Sequence, residues 1–152
     1  MGGSAGAHLA LMVGLQSPAP VFTGDCGKKK INIAGIISKY GPTDLLHWDA
    51  VSKPGGTFAA WAGIRPQDTT FLKSLSPINY VSEKNIPVLL IHGDQDRTVP
   101  VEQSITLYNK LKQNGNETTI HIVKNGGHGN FGPIETAVMD EKMMSFITLY
   151  TK

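Results

Sequence analysis

Apolar positions fall into runs of two different periods along the chain. Residues 6 to 15 are apolar almost all round (Ala7, Leu9, Ala10, Leu11, Met12, Val13, Leu15), which predicts a helix buried on several sides. Gln16-Ser17-Pro18 ends it. Ile31 to Ser38 is a short isoleucine-rich run with the look of a strand covered on both faces in a parallel sheet, and Tyr40-Gly41-Pro42 stops it. From Thr43 to Tyr80 the pattern is irregular, with short helices expected at Thr43 to Asp49 and Pro66 to Leu75. That stretch reads as an excursion from the sheet. Val88-Leu89-Leu90-Ile91 predicts a second buried strand that runs into His92-Gly93 and an aspartate-rich turn. Val101, Ile105, Tyr108 and Leu111 then recur at helical spacing until Asn114-Gly115. Thr118 to Val123 reads as a third strand, and Met139, Met143, Phe146, Ile147 and Tyr150 mark one face of a terminal helix. The order implies an α/β layer architecture: a three-stranded parallel sheet flanked by helices, with right-handed crossovers and the excursion between its first and second strands.

Composition narrows the picture. A length of 152 residues with 40% hydrophobic content fits one domain, 1 to 152. Fourteen Lys and Arg against 12 Asp and Glu give a net charge of +2, which argues against a nucleic-acid partner. The run Lys28-Lys29-Lys30 reads as a solvated loop. One cysteine, Cys26, excludes an internal disulfide framework and any multi-cysteine zinc module. The apolar stretch from Ala5 to Leu15 is broken by His8 and Gly14 and is far shorter than the ~20 residues that span a bilayer. The first residues lack the basic start and small-residue cleavage site of a secretory signal, which by itself assigns no compartment.

The sharpest chemical signal is Gly2-Gly3-Ser4-Ala5-Gly6, a G-x-S-x-G segment leading straight into the buried helix. In a nucleophile elbow the serine sits on a strained strand-to-helix turn, and flanking glycines are needed because side chains there would meet neighbouring backbone. Ser4 would then stand at a helix N-terminus, where the Ala5 amide can help bind an oxyanion. Asp96 follows in His92-Gly93-Asp94-Gln95-Asp96-Arg97-Thr98-Val99-Pro100, beyond the end of the second strand. His128 follows in Asn125-Gly126-Gly127-His128-Gly129, beyond the third. Sites belong at that edge of a parallel sheet, and serine, acid and histidine are what acyl transfer needs: a nucleophile, an acceptor that fixes the tautomer, and a proton carrier. Asp94 is assigned to the turn. The other histidines, His8, His47, His92 and His121, read as structural, and no spacing resembles a metal cage, so neither metal nor cofactor is expected.

Gly-Gly-Ser-Ala-Gly-Ala-His-Leu-Ala (2 to 10), Ser-Pro-Ile-Asn-Tyr-Val (76 to 81), His-Gly-Asp-Gln-Asp-Arg-Thr-Val-Pro (92 to 100), Gln103-Ser104 and Gly-Gly-His-Gly (126 to 129) resemble the α/β-hydrolase esterases, within them the acetyl esterase and feruloyl/acetyl-xylan esterase branch. Ala7 departs from the pattern, where these esterases often carry a second glycine. The resemblance implies Ser4 as nucleophile, Asp96 as acid, His128 as base and a small-molecule ester as substrate. It also implies that the chain corresponds to the C-terminal half of such a domain, without the His-Gly-Gly segment that supplies oxyanion donors. Losing one such donor typically costs about 100 to 1000-fold in rate. Three classes stay open: a serine carboxylesterase acting on short acyl esters such as acetyl groups on plant polysaccharide, a prolyl-oligopeptidase-type serine peptidase, and a catalytically inactive, self-associating fragment. The strand from Ile31 to Ile37 would expose an apolar edge with no charge or proline to protect it, so a homo-oligomer through that edge is expected.

Overall fold

The computed structural model describes residues 1–16, 32–52, 58 and 67–151. Four parallel strands lie side by side in chain order: β1 (Gly2–Gly3), β2 (Ile36–Lys39), β3 (Val88–Gly93) and β4 (Thr118–Val123). The expected three-stranded sheet therefore gains a member. Gly2 pairs with Ser38 and Gly3 with Lys39, so the strand that leads into the Gly-x-Ser segment is present as a two-residue stub. Two glycines carry no side-chain pattern, and no periodicity could reveal it. The stub pairs only the C-terminal half of β2; Ile36 and Ile37 are bridged to Val88 and Leu89 on one side alone.

Helix α1 (Ala5–Leu15) begins one residue earlier than the pattern suggested. It is not covered all round: Leu11 and Leu15 are buried, whereas Leu9 and Val13 are each 63% exposed. β2 is shorter than the expected strand, since Asn32 to Gly35 are not extended ladder and Ile31 lies outside the described residues. The expected helix from Thr43 to Asp49 does not form either. Gln103 Oε1 accepts the backbone amides of Thr43 and Asp44 at 2.8 and 2.7 Å, and Asp44 Oδ1 accepts the Leu46 amide at 3.1 Å. Those amides are held in an Asx-type turn by side chains, an alternative that competes with helix. Helix α2 (Asp49–Ser52) starts only where that segment ends. Further on, α3 (Thr69–Ser74) is capped by Asp68, whose carboxylate accepts the Phe71 amide; Pro66, the start expected from sequence, is outside the described residues. Cys26 and Lys28 to Lys30 also lie outside them.

The remaining elements follow the pattern. α4 (Glu102–Gln113) stops at Asn114, with Gly115 at φ +75°, and α5 (Gly132–Tyr150) closes the chain. β3 explains the layering. Val88 and Leu90 join Leu11, Leu15, Ile36, Leu107 and Leu111 on one face, under α1 and α4. Leu89 and Ile91 join Ile37, Val123 and Met139 on the other, under α5. A strand flanked by helices on both faces must be apolar at every position, which is why this one reads as an unbroken hydrophobic run. Within residues 43 to 80, Leu45, Trp48, Val51 and Leu72 gather around Val99 in a separate cluster, so the excursion packs against the loop after β3. Among the described residues no helix is long and apolar enough to cross a membrane.

Candidate active site

Ser4 occupies the turn between β1 and α1 at φ 53°, ψ −122°, outside the regions open to an ordinary side-chain-bearing residue. Its neighbours lock that turn. The Ser4 amide donates to Lys39 O at 2.9 Å, and Ser4 O accepts the Ala7 and His8 amides, the first bonds of α1. The Ser4 amide is thus occupied, while the next one, Ala5 N–H, has no partner among the described residues and opens the helix.

The two flanking glycines are not equivalent. A β-carbon at Gly2 would lie 2.2 Å from the carbonyl carbon and oxygen of Gly6, whereas one at Gly6 meets nothing within 4 Å. The expectation that both glycines relieve a collision holds for Gly2 alone. Gly2→Ala should accordingly lower the urea midpoint by an amount equivalent to about 1 to 3 kcal/mol, as overpacking does. Gly6→Ala should leave it unchanged or raise it by up to about 1 kcal/mol through helix propensity. Matching midpoints for the two variants would contradict this reading of the turn.

Asp96 lies in the loop after β3, its side chain fully buried. Burial of a carboxylate requires donors, and the loop supplies them. Oδ1 accepts the Thr98 and Val99 amides at 2.8 and 2.9 Å, and Oδ2 faces His128 Nδ1 at 2.7 Å. On its other side the carboxylate meets His92, whose Nε2 is 3.3 Å from Oδ2. Nε2 of His92 donates to Val99 O at 2.9 Å, so its Nδ1 accepts from Ser104 Oγ at 2.7 Å. Burial depresses the His92 pKa below the ordinary 6.5, against the raising influence of Val99 O and Asp96. The reading of His92 as a strand-end structural residue missed that it backs onto Asp96; its place four residues earlier in the His-Gly-Asp-Gln-Asp segment was the available signal.

His128 is carried by the loop after β4, which turns at Asn125 (φ 57°) and packs onto the end of β3. The Gln95 amide donates to Gly126 O at 2.9 Å and the Asp94 amide to Val123 O at 3.1 Å, joining the two loops. His128 Nε2 is 2.8 Å from Ser4 Oγ. With Nδ1 donating to a carboxylate, Nε2 bears the lone pair and accepts the serine proton. The structure therefore brings Ser4, His128 and Asp96 into one hydrogen-bonded line, from residues far apart in the chain. Asp94 is exposed and outside it. Of the other histidines, His8 is buried with Nδ1 3.2 Å from Pro42 O, His47 pairs with Asp44, and His121 lies 3.8 Å from Glu135. Among the described residues no group of three or more His, Cys, Asp or Glu side chains could hold a metal ion.

The BD-FAE family model matches residues 1–111, a span that contains Ser4 and Asp96 and stops short of His128. Esterase LipQ of Mycobacterium tuberculosis is 27% identical over 133 residues, covering 86% of this chain and 32% of that protein. A solved structure described as a truncated form of carbohydrate esterase from gut microbiota superposes with a TM-score of 0.77 at 27% identity, covering 97% of this chain and 58% of that one. An acylaminoacyl peptidase in complex with Z-Gly-Gly-Phe-chloromethyl ketone superposes with a TM-score of 0.78 at 28% identity, covering 97% of this chain and 22% of that one. The chain thus spans about a third of the length of the mycobacterial relative.

Proposed function

The chain belongs to the BD-FAE family and has an α/β-hydrolase fold, and from that premise we propose that it is a serine carboxylesterase that hydrolyses short-chain acyl esters. The observation that carries this reading is the unbroken line Asp96 Oδ2, His128 Nδ1, His128 Nε2, Ser4 Oγ, with contacts of 2.7 and 2.8 Å. Ser4 Oγ attacks the ester carbonyl carbon while its proton passes to His128 Nε2. The carbonyl oxygen becomes an oxyanion within reach of the Ala5 amide at the positive end of α1. Collapse of the adduct breaks the ester bond, and the alcohol leaves with the proton held by His128. Water then attacks the acyl-serine by the same route in reverse and releases the acid. Asp96 stays ionised throughout, fixing the imidazole tautomer and balancing the imidazolium.

Acetyl esters on plant polysaccharide are the proposed substrate class, in keeping with the carbohydrate esterase among the structural neighbours. A peptidase reading is the second, favoured by the likeness to an acylaminoacyl peptidase. A fluorophosphonate probe followed by mass spectrometry tests the common chemistry: modification of Ser4, absent from Ser4→Ala, supports it, and an unmodified Ser4 in the folded protein rejects it. Acetylated xylan against an N-acetylated peptide amide then separates the substrate classes. Release of acetate with no peptide cleavage is expected, and the converse would make the chain a peptidase.

A further inference from the structure

We propose that Tyr40 is a positioning residue for His128, its ring filling a slot between Gly3 and Gly129 and holding the imidazole on the line from Asp96 to Ser4. This rests on the acyl-transfer reading of those three residues.

The first observation is a backbone that does not suit its side chain. Tyr40 follows β2 at φ 44°, in the left-handed region where glycine or asparagine is at ease and a bulky aromatic is not. The conformation is imposed from every side. The Tyr40 amide continues the ladder to Ile91 O at 2.7 Å, Pro42 O is held by His8, and Thr43 is tied to Gln103 through both its amide and its hydroxyl. Since these contacts fix the backbone without the ring, the strain of a tyrosine here calls for a reason in what the ring touches.

The ring touches the site. Its centroid is 4.9 Å from that of His128 in an edge-to-face arrangement at 65°, and 5.7 Å from Phe131 at 74°. Two glycines make the room: a β-carbon at Gly3 or at Gly129 would each lie 2.9 Å from the Tyr40 hydroxyl oxygen. That hydroxyl has no hydrogen-bond partner among the described residues, so the contact is one of ring shape. An imidazole bonded at both nitrogens can still tilt about the axis through them, and an aromatic wall packed against it with centroids 4.9 Å apart restrains that freedom. The wall matters most after Ser4 is acylated. Its oxygen then has no proton to donate, His128 keeps only the Asp96 bond, and the Tyr40 ring remains in place while water is activated.

The test compares Tyr40→Phe, Tyr40→Ala and Tyr40→Gly, all confirmed folded by thermal melting. The Gly variant relieves the backbone, so a melting temperature at or above that of the parent separates loss of the ring from loss of the fold. The readouts are the slowly exchanging His128 Nδ1 proton by NMR and the burst and steady-state phases of p-nitrophenyl acetate hydrolysis. Tyr40→Phe should match the parent in both. The Ala and Gly variants should lose the Nδ1 signal and fall about tenfold or more in steady-state turnover, with deacylation slowed more than the burst. Folded Ala and Gly variants that keep the Nδ1 signal would overturn the proposal. If the parent shows neither burst nor Ser4 phosphonylation, the acyl-transfer reading fails, and the NMR comparison alone still decides whether Tyr40 orients His128.

Discussion

Asp96→Asn should lower kcat/KM for an activated acetyl ester by about 10^4-fold, the size of effect that follows when the acid's amide forces the wrong histidine tautomer. The surroundings dictate how the amide must sit. Oδ1 accepts two backbone amides, from Thr98 and Val99, so the asparagine oxygen has to stay there and its NH2 has to take the place of Oδ2. That NH2 then faces His128 Nδ1, which must accept, moving the imidazole proton to Nε2 opposite Ser4. A protonated Nε2 cannot take the serine proton. Because the replacement is isosteric and buried, the melting temperature separates this effect from unfolding. Asp94→Ala is the matched control: Asp94 is exposed, and its removal should change the rate by no more than about twofold. Equal losses in the two variants would show that the loop acts as one unit, and that Asp96 is not the single acid.

How much of this was legible in the chain depends on what each residue was asked to encode. α4, β3, β4 and α5 were readable because their side chains meet a periodic environment, and Val88 to Ile91 is apolar throughout because helices cover both of its faces. The segment from Thr43 to Asp49 misled because its spacing allows a helix while its amides are claimed by Gln103, about 60 residues away. No local window contains that competitor. β1 was invisible for the opposite reason, since Gly2 and Gly3 have no side chains to alternate, and only pairing with Ser38 and Lys39 makes them a strand.

The candidate site was legible through chemistry and chain order. Ser4, Asp96 and His128 are reactive residues placed after sheet elements, and the fold gathers them at the C-terminal ends of parallel strands. Tyr40 read only as part of a strand stop and His92 only as structural, because what they add lies in what they lean on: one ring against His128, the other behind Asp96. Contacts of that kind appear only once two loops are brought together, and here a glycine determines how closely they meet.

That glycine carries the second large effect. Gly93→Ala should both destabilise the protein, by about 1 to 3 kcal/mol, and cut turnover on the order of 100-fold. A β-carbon at Gly93 would stand 2.2 Å from Gly126 O, 2.4 Å from Gly126 C and 2.7 Å from Gly127 O. All three are backbone atoms, so no rotamer change relieves the clash. The loop cannot slide sideways without losing the Gln95 to Gly126 and Asp94 to Val123 bonds that seat it. A β-carbon at Gly126 would in turn stand 2.9 Å from Val123, 3.0 Å from Phe131 and 3.1 Å from Gly93 Cα, so the two loops meet in close packing at this point. The remaining relief is outward, and outward motion carries His128 away from Asp96 and Ser4. Gly127→Ala, in the same loop and beside His128, is the informative comparison, because a β-carbon there meets nothing within 4 Å. It should keep parental stability and most of the turnover. Urea melts and acetyl ester kinetics on both variants decide the matter: if Gly93→Ala behaves like Gly127→Ala, the seat of the His128 loop lies elsewhere than on the end of β3.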